Sequence, residues 1–225
     1  MKKLLIILAA GFIFSSCKKD SSNNSNPSTD VYFNTAAGSS WSYHQTDLSG
    51  TNPDVDYTVT STSEDTTINA RKYHVYNYSY GGNKYMGIEG KSYYEYDSIP
   101  ITGGINIDRL YLKEDAAQGD TWKQDFSLTI PGIPFPIPLT VQNTMAEKGI
   151  SKTVNGKSYS NVNHVTTTLS VSAPGFPSNA LSSAIDSYYA PDFGLIENTT
   201  VIQLNYLDIV EDVNLKTELT SSDLK

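Results

Sequence analysis

From Val31 onward the chain runs in short segments in which Tyr, Val, Thr and Ile alternate with polar residues, broken by Gly, Asn, Asp and Pro. A two-residue period carried by β-branched and aromatic side chains is the pattern of half-buried strands. It predicts strands over 39–48, 56–64, 71–80, 84–89, 92–97, 107–113, 121–129, 139–149, 158–172, 186–190, 194–206 and 212–219. Turn chemistry separates them, as in SYGGNKY (79–85), IEGKS (88–92) and VNGKS (154–158). Strands at such regular spacing predict an all-β fold: an antiparallel curved sheet, arranged as a half-barrel or a sandwich. One segment departs from the pattern. In FPSNALSSAIDS, Ala180, Leu181, Ala184 and Ile185 share one face at helical spacing, with Ser178 or Asn179 as a cap, which predicts one short helix over 179–187.

The same plan recurs along the chain. Gly38-Ser39-Ser40-Trp41 returns as Gly119-Asp120-Thr121-Trp122, and Ile68-Asn69-Ala70-Arg71-Lys72-Tyr73 returns as Val154-Asn155-Gly156-Lys157-Ser158-Tyr159. Tyr93-Tyr94 matches Tyr188-Tyr189, and Tyr111-Leu112 matches Tyr206-Leu207. The order is kept while the displacement grows from 81 to 86 to 95 residues, as insertions into a second copy would produce. Two related halves, about 38–113 and 119–207, are therefore expected within a single β domain over 31–225.

The start of the chain carries an address. Met1-Lys2-Lys3 precedes the apolar run Leu4–Phe14, followed by Ser15, Ser16 and Cys17. A basic start, a short apolar run and small residues before a cut site make a secretory signal peptide over 1–16. Eleven apolar residues are too few to span a bilayer, which takes about 20. Cys17 is the sole cysteine, so an internal disulfide is excluded. No histidine lies near it to build a zinc site. The polar stretch that follows gives it no structured electropositive pocket to make it a nucleophile. What remains is an attachment point; the small-small-Cys ending resembles the bacterial lipoprotein signal, which implies a lipid anchor, and two or more acyl chains make such attachment stable. Residues 18–30, KKDSSNNSNPSTD, hold no large apolar side chain, so 17–30 reads as the lipidated cysteine and a flexible tether.

Charge and composition narrow the partners. Without residues 1–16 the chain carries 14 basic and 24 acidic residues, a net of −10, which opposes binding to nucleic acid. Sixteen tyrosines and no cysteine beyond Cys17 leave stability to burial and sheet pairing.

In the lipoprotein signal that this ending resembles, the cysteine thiol receives a diacylglyceryl group. SCKKD followed by a Ser/Asn tract, the G-x-x-W steps at Trp41 and Trp122, the N-x-(R/K)-x-Y turns, and YYAPDFGLI (188–196) together resemble uncharacterised lipoproteins of the Bacteroidetes. By layout alone the chain is also similar to the half-barrels with a covering helix used by lipoprotein carriers. The resemblance implies an outer-membrane protein on the periplasmic or cell-surface side, and transfers no catalytic residue.

Chemistry is sparse. His44, His74 and His164 sit in three separate strands, and no hydrolase, zinc, phosphate-loop or dinucleotide motif is present, so no metal, cofactor or enzymatic activity is expected. Two features suggest binding instead. In HVYNYSYGGNKY, Tyr76, Tyr78 and Tyr80 fall on one face with His74; exposed, such a row would stack on sugar rings, whereas buried it would stabilise the sheet. In IPGIPFPIPL (130–139), four prolines break ladder pairing while Ile133, Phe135 and Ile137 are too apolar for an ordinary solvated loop. These residues either pack down as a lid or form a lip that meets lipid, ligand or partner. The sequence therefore predicts a non-enzymatic, lipid-anchored envelope protein that binds an apolar ligand or partner at an open sheet face, with a glycan-binding module or an interaction component of an envelope complex as alternatives.

Overall fold

The computed structural model describes residues 31–99, 104–129, 135–172, 175–206 and 209–225; Cys17, the signal peptide, the tether and Ile133 lie outside them. Twelve strands form one antiparallel sheet: β1 (Ser40–Asp47), β2 (Val55–Ile68), β3 (Arg71–Tyr78), β4 (Asn83–Glu89), β5 (Ser92–Ser98), β6 (Asn106–Lys113), β7 (Thr121–Leu128), β8 (Ile137–Val154), β9 (Lys157–Val171), β10 (Leu181–Ala190), β11 (Gly194–Tyr206) and β12 (Ile209–Asp223). Their spatial order is β6-β5-β4-β3-β2-β1-β12-β11-β10-β9-β8-β7. Each run of six is a meander, and the two are joined where β1 pairs with β12, with Ser40 opposite Asp223 and Asp47 opposite Leu215.

The sheet curls until its outer strands, β6 and β7, face one another as a nearly closed barrel. No ladder joins them; side chains stand in for it. Gln124 accepts from the Leu110 N–H at 2.5 Å and donates to the Asp108 carbonyl at 3.2 Å. The Leu110 carbonyl also accepts from Trp122 Nε1 at 3.0 Å and from Asn143 Nδ2 at 3.1 Å. Further along, Lys148 Nζ donates to the Glu114 and Ala116 carbonyls at 2.8 and 2.6 Å. Backbone groups at an unpaired edge are an invitation to foreign strands, and this arrangement occupies them.

The predicted helix over 179–187 is a strand. Inward positions of β10 are Leu181, Ser183, Ile185, Ser187 and Tyr189, and two of these five are serines, which disguise a period of two as something longer. Ser183 Oγ accepts from the Leu169 N–H at 2.7 Å and Ser187 Oγ accepts from Asn198 Nδ2 at 2.9 Å, so both serines are satisfied inside the sheet. Turns read from the sequence are present: Gly90 (φ 62°) and Lys91 close β4–β5, and Asn155 and Gly156 (φ 47° and 76°) close β8–β9; Asn69 and Ala70 (φ 50° and 67°) close β2–β3 in the same way. Trp41 lies on β1 and Trp122 on β7, the first strand of each run of six; Tyr93 lies on β5, whereas Tyr188 lies on β10, the fourth of its run.

Two apolar clusters fill the interior. One gathers aromatic side chains, among them Trp41, Tyr76, Tyr93, Tyr111 and Trp122, at the end where the chain enters. There Tyr32 and Phe33 are buried across the barrel mouth, and the Tyr76 hydroxyl donates to the Asn34 carbonyl at 2.9 Å. The other cluster is aliphatic, with Ile99, Leu139, Ile185 and Ile202, and lies toward the far end. Between them sits a polar belt.

Candidate functional site

Three neighbouring strands build the belt. Glu95 on β5 is opposite Arg109 on β6, and Lys84 on β4 stands one diagonal step away on the same inward face. Lys84 Nζ meets Glu95 Oε1 at 2.5 Å, and Arg109 Nη2 meets Glu95 Oε2 at 2.5 Å. The Glu95 side chain is only 7% exposed. Burial on its own would raise the Glu95 carboxyl, but Lys84 and Arg109 outweigh it and hold the group well below the usual carboxylate range. Asp97, two residues further along β5, moves the other way: burial, and then the Glu95 charge, push it up. Each charge was visible as an anomaly in the alternation, since Lys84 precedes Met86, Glu95 follows Tyr93, and Arg109 lies between Ile107 and Tyr111 on one face. Sequence reasoning passed over them because a charge in a strand usually marks the solvent side.

The belt borders a cavity of about 240 Å³ that is partly open to solvent. Its lining sets Lys84, Glu95, Arg109 and Tyr111 beside the uncharged polar Gln45, Ser98, Ser187, Asn198 and Thr200 and the aliphatic Ile99, Ile185, Ile202, Val213 and Leu215. The wall is thus charged at the belt and mixed polar and aliphatic elsewhere. Within the wall the Tyr111 hydroxyl and Arg109 Nε are covered by neighbouring atoms and have no hydrogen-bond partner among the described residues. Burial pushes the Tyr111 phenol far up, so it keeps its proton.

The residues picked out from the sequence scatter. Ile137 opens β8 and is buried in the aliphatic cluster, packing down rather than forming a lip. Phe135, just before it, is 40% exposed. The tyrosine row does not lie on an outer face. The alternation was read correctly, but its face points into the barrel: Tyr76 is 1% exposed and packs edge-on against Trp41 and Phe33. Tyr78 is partly buried against the same core, and Tyr80 alone of the three is open to solvent, stacked on Tyr78 at 4.8 Å.

One constellation was not anticipated. Ser61 Oγ lies 2.8 Å from His74 Nε2, and His74 Nδ1 lies 2.8 Å from Asp65 Oδ1, a Ser-His-Asp relay beside a cleft of about 380 Å³. Its burial runs opposite to that of a hydrolase. The serine is 2% exposed and the aspartate side chain 41%, whereas a nucleophile must meet substrate and the acid is the member kept inside. The Ser61 N–H donates to the Ser39 carbonyl at 2.8 Å, and the nearby Gly38 N–H donates to the Ser61 carbonyl at 2.9 Å, so neither is free to hold an oxyanion. The relay ties β2 to β3 across the bulge between Ser61 and Asp65. The other histidines likewise sit among carboxylates on the sheet: His44 beside Asp54 and Asp56, His164 between Glu147 and Asp186.

Comparison with known proteins adds fold neighbours of low similarity. No protein-family model and no curated protein matches the sequence. Among solved structures, a protein described as a lipoprotein, from Parabacteroides distasonis ATCC 8503, is 13% identical with a TM-score of 0.49, over 85% of this chain and 98% of its own. An exported protein of YmcC-like fold from Bacteroides fragilis NCTC 9343 is 9% identical with a TM-score of 0.45, over the same shares of the two chains. At these values neither neighbour assigns a function to this chain. The class defined here rests on geometry: a twelve-stranded antiparallel barrel whose interior keeps a cavity with one charged side.

Proposed function

We propose that this chain is a secreted envelope protein, anchored in the outer membrane through acylated Cys17, that holds a ligand with an apolar part inside its barrel and catalyses no reaction. The observation that carries the reading is the cavity itself. Close-packed interiors rarely leave more than water-sized voids, and 240 Å³ walled by Ile185, Ile202 and Val213 is room for a ligand rather than a packing defect. The inverted burial of Ser61, His74 and Asp65 supports the non-enzymatic part. Anchoring rests on the sequence before residue 31, and the far end, with exposed Leu48, Phe135 and Val210 at its turns and strand ends, is the natural side for a ligand to enter.

Binding of N-phenyl-1-naphthylamine, an uncharged dye that brightens in apolar surroundings, tests it. The protein is expected to raise the dye's emission, and Ile202→Trp, which fills the cavity, to abolish the effect while the sheet remains folded by circular dichroism. Emission that survives Ile202→Trp, or never rises, refutes an interior ligand. The anchor is tested separately: Cys17→Ser is expected to move the protein from the membrane fraction to the soluble one, and unchanged membrane retention refutes it.

A further inference from the structure

We infer that the seam between β6 and β7 is an expansion joint: it parts from the far end as far as Gln124, so that the cavity encloses ligands larger than its resting volume. The inference rests on the interior-ligand reading and deepens it. Eleven ladders join the twelve strands, and the seam is the one junction around the barrel without a ladder. Among the described residues, every hydrogen bond that crosses it ends between Asp108 and Ala116, in the half nearer the chain entry. Beyond Asp108 no hydrogen bond among the described residues links β6 to β7; Ile107, Phe126 and Leu128 instead join the aliphatic cluster. Apolar contact has no preferred direction, so strands held by it alone part at lower cost than strands held by a ladder.

The joint opens onto the cavity. Ser98 on β5 and Arg109 on β6 belong to its lining, the facing lining comes from β10, β11 and β12, and none of the described lining comes from β7, β8 or β9. Swinging β5 and β6 outward therefore moves one wall and leaves the facing wall in place. Gln124 is the latch. Its bonds to the Leu110 N–H and the Asp108 carbonyl straddle Arg109, so that wall moves only when both break. Trp122, Asn143 and Lys148 keep the half beyond it shut. Size gives the joint its use. A cavity of about 150 Å³ accommodates benzene, with six heavy atoms, so by proportion 240 Å³ holds about ten. Indole fits that limit, whereas N-phenyl-1-naphthylamine, a naphthalene joined to a phenyl ring, is enclosed only if a wall moves.

The test binds both probes to the full-length protein in neutral detergent, the dye by emission and indole by calorimetry, with the seam bridged or loosened. Gln124 lies opposite Arg109, and the same alignment carried toward the far end sets Ser127 across from Asn106, both exposed. Asn106→Cys with Ser127→Cys, joined by a short bis-methanethiosulfonate, closes the far half, and wild type treated alike controls for Cys17. The bridge is expected to weaken the dye at least about tenfold, to leave indole unchanged, and to be reversed by reduction. Gln124→Ala, which removes the latch without any reagent, is expected to tighten the dye about tenfold and to leave indole unchanged. Dye affinity unmoved by the bridge or by Gln124→Ala, or indole affinity that follows the dye's, overturns the joint, while bound dye keeps the interior-ligand reading. Failure of both probes to bind overturns the two readings together.

Discussion

Gln124 bridges the seam between β6 and β7 with two hydrogen bonds, and Gln124→Ala measures what they contribute. Gln124 satisfies the Leu110 N–H and the Asp108 carbonyl, two backbone groups on the edge of β6 that have no strand to pair with. Alanine leaves both without their partner. A buried group left unsatisfied costs about 1–3 kcal/mol. The Leu110 carbonyl keeps its bonds from Trp122 and Asn143, so the loss is confined to the two groups that Gln124 serves. Leu110 is half-buried, which lets water offset part of the penalty and places the total near the lower end, about 2 kcal/mol. For a domain of this size that lowers the melting temperature by roughly 4–8 °C. Hydrogen exchange localises the effect: the Leu110 amide should lose protection in Gln124→Ala, while Val165 in the β8–β9–β10 core remains protected. An unchanged melting temperature together with an unchanged Leu110 exchange rate would show that the seam is closed by something other than this side chain.

Two further predictions follow from the interior and from the end where the chain enters. Glu95→Gln leaves Lys84 and Arg109 side by side without their shared carboxylate, an expected loss of about 3 kcal/mol by urea unfolding at pH 7. Because the folded-state Glu95 carboxyl lies below its ordinary value of 4.5, at about 2, its stabilisation is complete above about pH 5 and is lost as the pH falls toward 2. The gap between wild type and Glu95→Gln should therefore narrow over that range; Asp97, raised by burial and by Glu95, acts in the opposite sense, its ionised form being relieved as the pH falls. A gap that stays constant to pH 2 refutes the assignment. Gly194→Ala places a Cβ 3.0 Å from the Tyr32 carbonyl at a φ of +66°, and is expected to cost about 1–2 kcal/mol and to speed proteolysis within 31–37, with unaltered cleavage as the contrary result.

Much of this architecture was legible because strand alternation is a local signal. Eleven of the twelve strands fall where the two-residue period placed them, β10 does so only from Asp186 on, and the turn at Asn155-Gly156 follows from residues that tolerate positive φ. Three things were not local. The period says which residues share a face but not which face is inside, so Tyr76 reads equally well as a surface platform or as the core residue it is. Ser183 and Ser187 point inward and are satisfied by neighbours on β9 and β11, a pairing no single segment reveals, and their polarity let Ala180, Leu181, Ala184 and Ile185 pass for a helix. The pairing of β1 with β12 joins residues more than 160 positions apart and decides that the sheet curls into a barrel, which turns Lys84, Glu95 and Arg109 from three scattered charges into one wall.

The interior ligand is tested most directly by intermolecular nuclear Overhauser effects between N-phenyl-1-naphthylamine and the carbon-13-labelled methyl groups of the protein. The account predicts contacts from the ring protons of the dye to Ile185, Ile202 and Val213, and none to Leu48, Val55 or Val210, which are exposed outside the cavity. Contacts confined to those surface methyls, or absent altogether, would contradict it.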